Sequence, residues 1–143
     1  MRLSTRSRYA IRSLLDLIYY YKGSPVSIKE IAERQQISER YLENIFHDLR
    51  KNRIINSIKG KNGGFMPGTD LKEVKLLTII EILEGPVKIV DCTAEPSDCP
   101  RIEKCSSHPV WLSLNNIFRD TLSKIKLGDI KGCEEGSIQE LKI

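Results

Sequence analysis

No run of apolar residues in this chain approaches the roughly 18 that a membrane-spanning helix requires. The opening Met1-Arg2-Leu3-Ser4-Thr5-Arg6 also lacks the apolar segment of a secretion signal. The expectation is a cytoplasmic protein with no membrane partner. A nucleotide-binding P-loop is missing too: Gly60-x-x-Gly63-Gly64 carries neither the lysine nor the hydroxyl, and a strand pattern follows it instead of a helix. Cys105 and His108 are close enough in sequence to suggest a nucleophile and base, but their proline-flanked loop offers no oxyanion donors. No other segment supplies a catalytic set, so the chain reads as something other than an enzyme. At 143 residues it is short for two independent cores and long enough for one domain with an assembly element.

What is present is unevenly distributed. Residues 1–65 hold 13 Lys or Arg against 6 Asp or Glu, whereas residues 66–143 hold 10 against 13. The first half is therefore net +7 and the second net −3. A concentrated positive surface that releases counterions from phosphates is a candidate nucleic-acid face. Periodicity organises it. Ala10, Ile11, Leu14, Leu15, Leu17, Ile18 and Tyr21 recur at helical spacing until Gly23-Ser24-Pro25 stops them. Ser27-Ile28-Lys29-Glu30 has the form of a capping box, and Ile28, Ile31 and Ala32 give a short buried face. After Gln35-Gln36-Ile37, Ser38 caps a third helix with Leu42, Ile45, Phe46 and Leu49 inward and polar residues outward. A short helix, a tight turn and a polar-faced helix make helix-turn-helix spacing, in which the second helix enters the major groove of double-stranded DNA. There Arg40 suits guanine, Glu43 a cytosine amino group and Asn44 adenine, with Tyr41, His47, Arg50 and Lys51 completing the contact set.

Ile54-Ile55-Asn56-Ser57-Ile58 reads as a strand, Lys59-Gly60-Lys61-Asn62-Gly63-Gly64 as a turn and Phe65-Met66 as the returning strand. The result is a basic wing in which Lys59, Gly60 and Lys61 approach phosphate or the minor groove. Beyond it, Leu76, Leu77, Ile79, Ile80, Ile82 and Leu83 form an apolar helix stopped by Gly85-Pro86, and Pro109 opens a final helix. Trp111, Leu114, Phe118, Leu122 and Ile125, with Val110 and Ile117, give that helix a stripe wider than a small domain needs, which suggests a homodimer. The fold expected is mainly α with a small β-wing, a winged helix-turn-helix domain plus a long C-terminal dimerisation helix. Its divisions are 1–85 for the DNA-binding domain with its following helix, 86–108 for a cysteine-rich loop and 109–143 for the dimerisation helix and polar tail.

All four cysteines fall late in the chain, where a reducing compartment favours metal ligands or redox groups over disulfides. The spacing is Cys92-x6-Cys99-x5-Cys105-x2-His108. Thiolates accept iron-sulfur clusters, zinc or copper(I). Zinc knuckles prefer tight Cys-x2-Cys pairs, which only Cys105-x2-His108 approaches, whereas three separate cysteines on a loop surround an extended cluster more readily. Zinc and unliganded redox cysteines remain alternatives. Cys133 lies in a polar segment and receives no role.

Taken together, Ile31-Ala32-Glu33-Arg34-Gln35, Ile37-Ser38-Glu39-Arg40-Tyr41-Leu42-Glu43, Leu49-Arg50-Lys51-Asn52, Lys59-Gly60 with Gly63-Gly64-Phe65, Leu83-Glu84-Gly85-Pro86 and Val90-Asp91-Cys92 resemble the Rrf-two family of bacterial winged-helix transcription regulators, in particular its IscR-like branch. The likeness runs from Met1 to Asp129. The wing departs from the family's more frequent Arg-Gly and Gly-Gly-Tyr. The resemblance implies a dimer joined through the last helix and a [2Fe-2S] cluster on Cys92, Cys99 and Cys105. His108 is the fourth candidate ligand, with Cys133 or an acidic side chain as alternatives. It also implies promoter DNA as partner and a regulator sensing iron-sulfur status or redox, with cluster biogenesis genes as targets. A cysteine-metabolism or nitric-oxide-responsive regulator on the same fold, and a zinc-stabilised DNA-binding module without sensing, are the other readings.

Overall fold

The computed structural model describes residues 3–93 and 99–130. Helices α1 (Thr5–Tyr20), α2 (Ile28–Gln35) and α3 (Glu39–Lys51) precede strands β1 (Ile55–Ile58) and β2 (Gly64–Pro67), and helices α4 (Leu76–Glu84) and α5 (His108–Lys124) follow. Serine starts each of the first three helices. The Ser4 hydroxyl accepts from the Ser7 N–H, and Ser38 accepts from the Tyr41 N–H. Ser27 and Glu30 close the expected capping box, each side chain bonding the other residue's backbone N–H. Gln36 then turns the chain between α2 and α3 in the left-handed conformation, at φ 54°, and returns its N–H to the carbonyls of Ala32 and Glu33. That one residue makes the sharp corner of the helix-turn-helix.

The core follows from the same periodicity. Ala10, Leu14 and Leu17 of α1, Ile31 of α2, and Leu42, Ile45, Phe46 and Leu49 of α3 are completely buried. Each large aliphatic or aromatic side chain among them contributes about 1.5–3 kcal/mol on leaving water. Ile55, Leu71, Val74, Ile79 and Leu127 extend this core under the wing and α4. The strands pair antiparallel, Ile55 opposite Pro67 and Ile58 opposite Gly64. Val26, outside the sequence-predicted strands, adds a single rung on the other edge of β2 by exchanging two backbone hydrogen bonds with Phe65, at 2.9 and 2.8 Å. Phe65 meets Phe46 edge to face with centroids 4.9 Å apart, so the wing is fastened to the inner side of α3.

A second apolar cluster joins Ile80, Val87 and Leu122, with Leu3, Leu76, Leu77 and Phe118 packed on it. It seats α5 on α4, helped by the Arg119–Glu81 ion pair and by buried Asn115, whose Oδ1 accepts from the Ile89 N–H at 2.9 Å. The broad stripe predicted for α5 is divided between two directions. Leu122 is buried and Phe118 packs on α4, while Val110, Trp111, Leu114 and Ile117 stay exposed. Val110, Leu114 and Ile117 lie about 100° around the helix from Phe118 and Leu122, whereas Trp111 shares the angular position of Phe118 two turns nearer the start of α5.

Candidate functional site

The outer side of α3 presents Arg40, Tyr41, Glu43, Asn44, His47, Arg50 and Lys51, all exposed, opposite the four fully buried residues of the same helix. An exposed ridge on a helix anchored by its other side is what a groove-reading element requires. Its attitude is fixed from several directions. Arg34 and Gln35 at the end of α2 converge on Asp16, whose side chain is 1% exposed, with Arg34 reaching it at 2.7 Å. Arg12 bonds the Gln35 carbonyl and side chain. On the other flank, Arg6 pairs with Asp48 of α3. Tyr41 meets Tyr9 edge to face at 5.9 Å, and the Arg12 guanidinium lies 5.4 Å from the Tyr9 ring.

Lys59, Gly60 and Lys61 are exposed at the tip of the wing. Gly60 has φ 117°, a conformation only glycine adopts without strain, and its carbonyl receives the Gly63 N–H at 2.9 Å. Gly64 is required by space: a Cβ there would stand 2.4 Å from the Val26 carbonyl oxygen. Arg50 spans from α3 to β1, its Nη1 donating to the Ser57 hydroxyl at 3.0 Å. The helix and the wing therefore share one basic surface.

The cysteine loop begins where Glu84 and Gly85 end α4. Cys92, Cys99 and Cys105 are half-buried and none is in a disulfide. His108 opens α5, and its Nε2 lies 3.1 Å from the Cys92 carbonyl oxygen, which draws the first and last of the predicted ligands together. Cys105 Sγ stands 3.2 Å from the Ser107 hydroxyl. Hydrogen bonds from the Ser107 side chain and from the Ser107 and His108 backbones, with Arg101 nearby, hold the Cys105 thiol below its ordinary pKa. Among the described residues no three His, Cys, Asp or Glu side chains converge on one point. The predicted ligands are thus neighbours in one loop but not a formed cage. Residues 94–98 and Cys133 lie outside the described residues. By chemistry the donors fit a thiophilic group: three thiols without disulfides, partly open to solvent, with the His108 imidazole bonded to the backbone carbonyl of the first cysteine.

A helix-turn-helix with an exposed polar reading helix and a basic wing defines a winged-helix DNA-binding protein. The Rrf2 family, described as "Iron-dependent Transcriptional regulator", matches residues 3–132. The chain belongs to that family. It is 33% identical over 135 residues to the HTH-type transcriptional regulator IscR of Vibrio vulnificus, spanning 94% of this chain and 80% of the relative. Among solved structures it is similar to T. potens IscR, with TM-score 0.73, 29% identity and coverage of 98% and 93% of the two chains. It is likewise similar to CymR, the global cysteine regulator of B. subtilis, with TM-score 0.72, 27% identity and coverage of 90% and 95%. The chain is therefore a transcriptional regulator that binds DNA, not an enzyme. Among the described residues no helix is long and apolar enough to cross a membrane.

Several structural residues gave no signal in the sequence. Gln36 at the corner, Asp16 under α2, and the meeting of Ser4 and Ser7 with Glu84 join positions that no local pattern relates. Asn115 was detectable in principle, as a polar residue on the helix face that carries Phe118 and Leu122.

Proposed function

We propose that this chain is a homodimeric, cytoplasmic transcription regulator that responds to iron-sulfur status or redox state through a [2Fe-2S] cluster, and that cluster biogenesis genes are among its targets. Cys92, Cys99 and Cys105 would hold the group, with His108 as fourth ligand. When bound, it supplies a charge that changes with its oxidation state or its loss. The observation that carries this reading is the position of Cys92 and His108. The His108 imidazole meets the Cys92 backbone carbonyl across 16 residues of sequence, between the end of α4 and the start of α5. Gathering or releasing these side chains shifts the start of α5 relative to the end of α4. Arg40, Glu43 and Asn44 read base edges, with Tyr41 and His47 beside them, while Arg50, Lys51, Lys59, Gly60 and Lys61 meet phosphate or the minor groove.

Two copies joined through Val110, Trp111, Leu114 and Ile117 would present two reading helices to half-sites about one helical turn, or a multiple of it, apart. The likeness to CymR favours a second reading in which the same thiols report on cysteine metabolism. One preparation separates the two. Purified without oxygen, the protein is expected to show visible absorption from a bound cluster, and Cys92→Ala, Cys99→Ala and Cys105→Ala are each expected to lose it while melting at close to the wild-type temperature. DNA affinity should change on removal of the cluster from the wild type. A colourless wild type, or three variants that keep their absorption, would refute the iron-sulfur reading.

A further inference from the structure

The first turn of α1 is held from two sides. On one side Leu3 packs into the cluster of Ile80, Val87 and Leu122, among α4, the segment leading to Cys92, and α5. The Ser4 backbone N–H and hydroxyl both donate to Glu84 Oε1, at 3.1 and 2.7 Å, and the hydroxyl of fully buried Ser7 donates to the same oxygen. Glu84 is the last residue of α4, immediately before Gly85-Pro86 and the path into the cysteine loop. On the other side Arg6 pairs with Asp48 of α3, and Tyr9 meets Tyr41. Residues 3–9 thus touch the base of the loop and the reading helix within two helical turns.

We propose that this turn is the coupling element between the cysteine loop and the reading helix, with Glu84 as its positioning residue. The Ser4 hydroxyl serves two purposes at once, since it caps α1 by accepting from the Ser7 N–H at 3.2 Å and donates to Glu84. A shift of Glu84 with the loop therefore disturbs the cap and leaves the buried Ser7 hydroxyl without its acceptor. The turn has to rearrange as a unit, because a closely packed helix start cannot deform by degrees. Arg6 precedes Ser7, and Tyr9 follows two residues on, so both contacts with α3 move with it. The direction of the signal is immaterial: a loop that biases the reader is biased equally by DNA on the reader.

The biological meaning of this bracket rests on the proposed sensing role, but reciprocity lets DNA alone test it. Amide hydrogen exchange is measured on the full chain with and without a mixed-sequence DNA duplex at low salt, for the wild type, Glu84→Ala and Ser7→Ala. In the wild type, DNA should slow exchange in residues 39–51 and change it in residues 84–93 by about fivefold or more. Both variants should keep the response at 39–51, while that at 84–93 falls to within about twofold of the DNA-free rate. Ser7→Ala removes the hydroxyl along with its need for an acceptor, so it reports on the link even where Glu84→Ala unfolds. A wild type without a response at 84–93, or variants that retain it, would overturn the proposal. The visible spectrum of the same sample separates the two ideas. A colourless protein with an intact response removes the iron-sulfur reading and leaves the bracket, whereas a coloured protein with no response does the reverse.

Discussion

At the scale of single residues, the reading face divides by chemistry. Arg40 and Glu43 sit near the amino end of α3, exposed, on a helix whose start is pinned by the Ser38 cap. Both have the donor and acceptor geometry that distinguishes bases in the major groove. Lys61 is a mobile point charge at the tip of a turn and has no such geometry. Arg40→Ala and Glu43→Ala should therefore change which sequences are preferred, with losses of about 1–3 kcal/mol confined to particular base positions. Lys61→Ala should weaken binding to every sequence and lower the slope of log affinity against log salt by about 0.9. Titration of a randomised duplex pool at two salt concentrations checks both expectations. Uniform losses for all three variants would contradict the division. The exposed placement of Arg40 and Glu43 was legible because helical spacing alone separates Leu42, Ile45, Phe46 and Leu49 from their polar neighbours. The charge that sets their attitude was not. Asp16 lies in an apolar stripe with nothing nearby in sequence to show that Arg34 and Gln35 would come to it.

At the scale of elements, local chemistry again carried most of the information. Serine caps, the Ser27–Glu30 box, Gly85 after α4 and Pro109 in the first turn of α5 all stand where their short-range physics requires. The wing was legible from its glycines and lysines, although the departure from the family's usual residues left its packing open. The structure supplies that packing: Phe65 fills the space against Phe46 while its backbone pairs with Val26. This rung could not be read in advance, since Val26 is a single residue between a turn and a helix, with no alternation around it. It also explains why position 64 is glycine. Gly64→Ala would force a methyl group to within 2.4 Å of the Val26 carbonyl oxygen, which the backbone must relieve by opening the rung. The expected result is a displaced wing on an intact helix-turn-helix. Stability should fall by about 1–3 kcal/mol, and DNA affinity should drop most where Lys59 and Lys61 contribute. Thermal melts with binding isotherms test this, and a variant with wild-type affinity would show that the wing is not fixed by that rung.

At the scale of the whole molecule, the cysteine loop and α5 are where sequence pattern and structure part company. Cysteine spacing located the loop, but a cage depends on side-chain convergence, which spacing does not specify. The described residues bring together only Cys92 and His108 from its two ends. For α5, apolar periodicity identified a helix with more nonpolar surface than one partner could cover. It could not say which part faces inward, because that depends on the tertiary packing of Phe118 and Leu122 against α4. The exposed part is informative: Val110, Leu114 and Ile117 recur at intervals of four and three, with Trp111 beside them, and Ile117 is 60% exposed. Such a row on one helix face is costly to leave in water and suits an isologous contact with a second copy. Ile117→Asp would place an uncompensated carboxylate within that contact, at a cost far above its effect on a solvated monomer. The variant should sediment as a monomer at concentrations where the wild type is a dimer, with its melting transition still cooperative. It should also lose the affinity that depends on two half-sites and keep the weaker, salt-sensitive binding of one winged module. A variant that remains dimeric would mean that α5 is covered by something other than its own copy, and the two reading helices would then have to be spaced by a different surface.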